Sequence, residues 1–226
     1  MARKTFDQRL SRLQDDILLL GDRVEKALAL SVQYLKERDS HGARRLIAED
    51  RDIDETRYQI EAAALMLIAT QQPMASDMRL LAAVLFIANE LERIGDYAKG
   101  ICRIILRIGD QPLLKPLIDI PRMEAETRKM LHASLQAFVA RDVEQARAIT
   151  TWDDEVDALY EQVYRELITK VLAEPSGIEQ ANLLLWAAHN LERAADRVTN
   201  ICERVIYCVT GEFIDTGWED EGVSAL

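Results

Sequence analysis

Apolar residues recur at three- and four-residue spacing almost from end to end of the chain, and alternating β-branched runs joined by Asn-Gly turns are missing. Only a helix returns a side chain to the same face about every 3.6 residues, so this periodicity predicts an all-α protein. Interruptions fall at Asp39-Ser40-His41-Gly42, at Gln72-Pro73, along GDQPLLKPLIDIP from Gly109 to Pro121, at Arg141-Asp142 and at Glu174-Pro175-Ser176-Gly177. These five breaks leave six helices. Each is about 30 residues, or roughly 45 Å, long, except a shorter fourth. Start signals accompany the breaks. Thr5 with Gln8 and Ser176 with Glu179 have capping-box spacing, Ser76 follows Pro73 at the head of the third helix, and Gly211 would close the last one.

One stretch occurs twice. NELERIGDYAKGIC, from Asn89 to Cys102, reappears as HNLERAADRVTNIC, from His189 to Cys202. Leu91, Glu92, Arg93, Asp96, Ile101 and Cys102 match Leu191, Glu192, Arg193, Asp196, Ile201 and Cys202 at a constant offset of 100. The copies sit at the same place in the third and sixth helices, and a proline-bearing linker lies between the halves. The fold class expected is therefore two tandem antiparallel three-helix bundles related by internal duplication, residues 1–112 and 113–215, each with its own core. Residues 216–226, acidic and without periodicity, are expected to form a mobile tail.

Composition narrows the function classes. No apolar run reaches the roughly 20 residues that cross a bilayer, and the first ten residues lack the apolar segment of a secretory signal, so the expected location is cytoplasmic. A net charge of −11 with no segregated basic patch argues against nucleic acid or anionic lipid as a direct partner. Three cysteines without CxxC spacing describe neither a disulfide framework nor a zinc site, and Cys102 and Cys202 read as small core residues.

The repeated stretch carries the chemistry. Glu92 and Asp96 lie one helical turn apart on one face, as do Glu192 and Asp196, and like charges at that spacing destabilise a helix. Small residues border them: Ala88 and Gly95 around Glu92, Ala188 and Ala195 around Glu192. They allow close approach of another helix or leave room for something other than a side chain. The second helix of each half offers a further pair, Asp50 with Asp54 and Asp153 with Asp157, the latter sharing a face with Val156 and Tyr160.

Each half would then gather four carboxylates: Asp50, Asp54, Glu92 and Asp96 in one, Asp153, Asp157, Glu192 and Asp196 in the other. Carboxylates withdrawn from water need a base, a proton or a metal. An oxygen-only donor set suits hard divalent or trivalent ions such as iron, manganese, magnesium or calcium, and bridging carboxylates permit a multinuclear cluster. His189 and Asn200 extend the second stripe where the first has Asn89 and Gly100, so the two sites are open to differing in metal or occupancy. The competing reading is structural: acids on solvated faces, or paired with Arg57, Arg93 and Arg193. A metal-dependent hydrolase is a third reading, although the chain holds no G-x-S-x-G, phosphate loop or dinucleotide fingerprint. His41, at a helix start, and His132, on the fourth helix, read as capping or surface residues.

The two motif copies, together with PMASDMRLL, DDEVDALYEQVYRELI and CVTGEF, make the whole chain resemble the PhoU family of phosphate-transport regulators. The resemblance implies a tandem of three-helix bundles, often dimeric, whose acidic motifs carry multinuclear metal clusters in some members. The family's motif residues map onto Asp50, Asp54, Glu92, Asp96, Asp153, Asp157, Glu192 and Asp196. It further implies a non-enzymatic cytoplasmic negative regulator of phosphate uptake and of the phosphate-starvation response. Such a regulator would couple the ATPase subunit of a phosphate ABC transporter to a sensor histidine kinase, meeting the membrane only through those partners.

Overall fold

The computed structural model describes residues 2–212, which are helical almost throughout. Helices α1 (Ala2–Glu37), α2 (Ser40–Gln71) and α3 (Ala75–Ile108) form the first unit. The second is built from α4 (Asp119–Ala140), α5 (Val143–Thr150), α6 (Asp153–Ala173) and α7 (Ile178–Thr210), with a single 3₁₀ turn, Pro175–Gly177, before α7. The all-α class and the tandem of two helical units are as the periodicity predicts, with one of the six predicted helices broken in two. The expected tail, residues 216–226, lies outside the described residues.

The predicted fifth helix is two helices, α5 and α6. Thr150 and Thr151 turn their hydroxyls onto the carbonyls of Arg147 and Ala148 at 2.8 and 2.9 Å, a local bond that competes with the helical ladder. Three acids then open α6, Asp153, Asp154 and Glu155, where the helix dipole favours negative charge. Asp153 thus stands at the start of a helix, whereas Asp50 is in the middle of one.

Two predicted caps are displaced. The described span of α1 begins at Ala2, ahead of Thr5. Ser176 lies inside the 3₁₀ turn and donates to Glu174, and Gly177 precedes α7 without a side-chain cap. Helix α3 starts at Ala75, with Ser76 in its first turn. The α2 cap is Asp39, whose Oδ1 accepts from the backbone N–H groups of His41 at 3.0 Å and Gly42 at 2.9 Å. Gly211 closes α7 as expected, in the left-handed conformation at φ 81°, its N–H reaching Tyr207 O at 2.8 Å.

The units share one interior instead of having separate cores. Helices α3 and α7 pack against each other as the central pair, α1 and α2 flank α3, α4, α5 and α6 flank α7, and α1 also meets α4. Buried apolar residues form a single continuous cluster running through both units. The α3–α7 crossing is antiparallel about Gly95 and Ala195. Glu90 receives Asn200 Nδ2 at 3.1 Å, Asn190 covers Gly100, and the Arg204 guanidinium lies 4.0 Å from the Phe86 ring. Glu90 is buried in that seam, with Arg197 Nη1 at 3.5 Å as well. Asn200, which the linear stripe placed beside Glu192, therefore serves the contact between units.

Candidate metal centres

Along α2 the buried positions run Ala43, Leu46, Asp50, Ile53, Ile60, Ala64 and Leu67. Steps of three and four residues define a packing seam facing α1 and α3, and Asp50 occupies one of its places. Arg57 occupies another, between Ile53 and Ile60. The corresponding seam in the second unit runs Ala146, Ile149, Asp153, Val156, Tyr160, Val163 and Leu167, with the apolar members buried. The pleat of small residues on the facing helices is what lets these seams close. A Cβ on Gly95 would lie 3.1 Å from Ile53 Cδ1 and 3.9 Å from Asp50 Oδ1, and Ala195 is fully buried.

Asp50 and Asp153 lie on the packing seams facing the helices that carry Glu92 and Asp96, and Glu192 and Asp196, while Asp54 and Asp157 lie outside the buried seam positions but within electrostatic reach of Glu92 and of Asp196. The two sets differ in what neutralises them. In the first, Lys99 Nζ binds Asp50 Oδ2 from α2 and Asp96 Oδ1, at 3.2 Å, from α3. Arg57 Nη1 holds Glu61 Oε2 at 2.7 Å while its charge also reaches Glu92. Burial, with Asp96 and Asp54 nearby, raises the Glu92 pKa above the ordinary carboxylate range, and Arg57 and Arg93 oppose the rise. A cavity of about 210 Å³ opens beside Asp50, walled by Lys26, Leu30, Leu46, Ile53 and Gly95.

The second set has no lysine. Burial pushes Asp153 up to about 7, with Asp157, Asp196, Glu192 and Asp154 adding repulsion in that order. Asp157 is raised by burial and then by Asp196, Asp154 and Glu161. Glu192 is raised by burial and Asp196, against His189 and Arg193. Asp196 is raised by burial against Arg193, Arg197 and His189. Two buried carboxylate oxygens, Asp153 Oδ1 and Glu192 Oε2, have no hydrogen-bond partner. His189 Nδ1 stands 3.1 Å from Glu192 Oε2 as an ion-pair contact without hydrogen-bond geometry, and Arg193 Nε is 3.8 Å from Asp196. His189 also leans on Trp186, edge to face at 5.7 Å, and on Tyr160 at 6.1 Å.

Among the described residues, no three His, Cys, Asp or Glu side chains already surround a single point. The second set nevertheless fits a cation by its donor chemistry: oxygen ligands only, two of them orphaned, with no ammonium between the helices. The first set fits less well, because Lys99 lies between the helix pairs.

The linear pattern of acids leaves out Lys99. Lys99 is three residues from Asp96, the spacing of side chains on one helix face, and that is the signal that identifies it. Cys102 and Cys202 are fully buried, and burial raises both thiols to about 12. His41 is exposed in the first turn of α2. His132, also exposed, meets Glu25 of α1 at 3.2 Å.

Residues 17–105 and 120–205 each match the family model described as the PhoU domain. The chain belongs to the PhoU family. Among curated PhoU relatives, the phosphate-specific transport system accessory protein PhoU homolog of Clostridium acetobutylicum is 33% identical over 216 residues, covering 95% of this chain and 99% of that one. The PhoU accessory protein of Escherichia coli K12 is 33% identical over 207 residues, covering 92% and 86%. The crystal structure of the phosphate transport system regulatory protein PhoU from Streptococcus pneumoniae superposes with a TM-score of 0.86 at 29% identity, covering 93% and 99%. That of PhoU from Pseudomonas aeruginosa gives 0.85 at 30% identity, covering 92% and 100%. The two PhoU domain matches contain both acidic motif copies, and no described helix is long and apolar enough to cross a membrane.

Proposed function

We propose that this protein is a cytoplasmic negative regulator of phosphate uptake and of the phosphate-starvation response. It acts as an adaptor between the ATPase subunit of a phosphate ABC transporter and a sensor histidine kinase. The observation that carries this reading is end-to-end similarity, at about one residue in three, to proteins named as phosphate-specific transport accessory proteins. It is not read as an enzyme. The repeated carboxylates lie on packing seams between helices, where charge neutralisation would govern how tightly α6 and α7 hold together.

In this reading Asp153, Asp157, Glu192 and Asp196 hold hard metal ions, which would supply the positive charge that the orphaned oxygens of Asp153 and Glu192 lack. Asp50, Asp54, Glu92 and Asp96 are the equivalent first-unit set. The protein's own part is to fix those side chains on rigid helices, with Tyr160 and His189 closing one side.

Contact with partners, and with a second copy in a homodimer, would use exposed apolar area. Tyr164, Ile168 and Ile178, all well exposed, line one groove between α6 and α7, and exposed Trp186 lines the adjoining one, which shares Asn182 and Leu185 with it; together they form such a face.

Deleting the gene tests the reading. The expected result is raised phosphate uptake and alkaline phosphatase activity in phosphate-replete medium, restored by the wild-type gene. Unchanged regulation in the deletion strain refutes it.

A further inference from the structure

We propose that the two carboxylate clusters have diverged in what neutralises them: Lys99 and Arg57 do so in the first unit, and only the second-unit cluster takes a hard metal ion. The inference deepens the metal reading above and rests on it.

Four positions carry the argument. Asp50 and Arg57 on α2 correspond to Asp153 and Tyr160 on α6 at a constant offset of 103, and Asp96 and Lys99 on α3 correspond to Asp196 and Thr199 on α7 at an offset of 100. The acids are kept in both units, and the two cations are replaced by a phenol and a hydroxyl. Lys99 touches one carboxylate from each helix, Asp50 and Asp96, which is the place a bridging ion between the two helices would take. An ammonium and a metal ion repel each other, so occupancy by one excludes the other at that spacing.

In the second unit, among the described residues, no lysine or arginine bridges Asp153 and Asp196; the nearest basic group to the orphaned oxygens is the imidazole of His189, where the first unit has Asn89, 3.1 Å from Glu192 Oε2. Thr199 turns its hydroxyl away, to the main-chain oxygen of Asp196 at 2.7 Å. Tyr160 packs against His189. Arg193, which has an equivalent in Arg93 and so does not distinguish the units, stays 3.8 Å from Asp196 and also bonds Tyr97 across the seam. The orphaned oxygens are Asp153 Oδ1 and Glu192 Oε2, and no first-unit carboxylate oxygen shares that condition among the described residues.

The experiment uses full-length protein stripped with chelator, dialysed against manganese(II) chloride alone, and assayed for bound manganese by mass spectrometry, with circular dichroism reporting helix content. Wild type, Asp50→Asn/Glu92→Gln, Asp153→Asn/Glu192→Gln and Lys99→Thr are compared. Manganese is expected to be unchanged in the first-unit variant and at least tenfold lower in the second-unit variant. It should rise, up to doubling, in Lys99→Thr, which recreates the second-unit residue. Equal loss from both double variants, or no gain in folded Lys99→Thr, overturns the inference while leaving the metal reading in place. Wild type without manganese overturns the metal reading and this inference together.

Discussion

Replacing Asp153 with asparagine should stabilise the metal-free protein progressively as pH rises from about 4 to neutrality and above, and leave it nearly unchanged near pH 4. Asp153 has a folded pKa of about 7 against an ordinary value of 3.8. Between those values the folded state holds a proton that the unfolded chain has released, so stability falls as pH rises through the window. A shift of about 3 units at about 1.36 kcal/mol each sets a ceiling near 4 kcal/mol. Water still reaches part of this carboxyl, and screening reduces the figure to about 2 kcal/mol. Asparagine also gives up the favourable interaction of an anion with the first turn of α6, about 0.5 kcal/mol, although Asp154 and Glu155 remain there.

The net gain is therefore about 1.5 kcal/mol at pH 8, or roughly 3–6 °C in Tm for a chain of this size. Calorimetry with excess chelator at pH 4, 6 and 8 reads it: the curves of variant and wild type should nearly coincide at pH 4, show roughly two-thirds of the difference at pH 6 and the whole of it at pH 8. Bound metal reverses the order, since a ligand at a hundredfold excess over its Kd stabilises wild type by about 2.7 kcal/mol and the variant by much less. A variant that melts below wild type in chelator at pH 8 would refute the claim that Asp153 sits among uncompensated charge.

Other perturbations probe the frame that positions the site. A Cβ on Gly21 would fall 2.1 Å from the Cδ1 of buried Leu135, so Gly21→Ala should cost about 1–3 kcal/mol, seen as a lowered urea midpoint, because α1 can no longer approach α4. Glu90→Ala leaves Arg197 and Asn200 unpaired between α3 and α7 and should cost about 2–3 kcal/mol by the same measurement. Asp39→Ala removes the acceptor for two N–H groups at the head of α2, a loss of about 1 kcal/mol. Cys102 and Cys202, their thiols raised to about 12 by burial, should resist alkylation at pH 8 until the protein is denatured.

Much of this architecture was legible in order along the chain. The apolar spacing gives the long helices, and the copies of Leu91-Glu92-Arg93 and Leu191-Glu192-Arg193 give the duplication, because both are properties of neighbouring residues on one helix. The predicted caps at Thr5 and Ser176 show the limit of such reading. A helix ends where its whole backbone finds partners, and a capping residue is one contribution among several. The break between α5 and α6 had a signal in Thr150-Thr151 followed by Asp153-Asp154-Glu155, but continued apolar periodicity masked it.

The acids themselves are in the same category as the helices: Glu92 with Asp96 and Glu192 with Asp196 are adjacent turns of one helix, and their spacing alone puts them on one face. Their neutralisation is not. Lys99 reaches Asp50 across 49 residues of chain, and Asn200 leaves the acidic stripe because Glu90 of the other unit faces it across 110. Helical periodicity determines which side chains share a face. Which face meets which, and so which charge finds a partner and which is left for an ion, depends on the packing of α3 against α7 and of α2 and α6 against them, where distance in space is independent of distance along the chain.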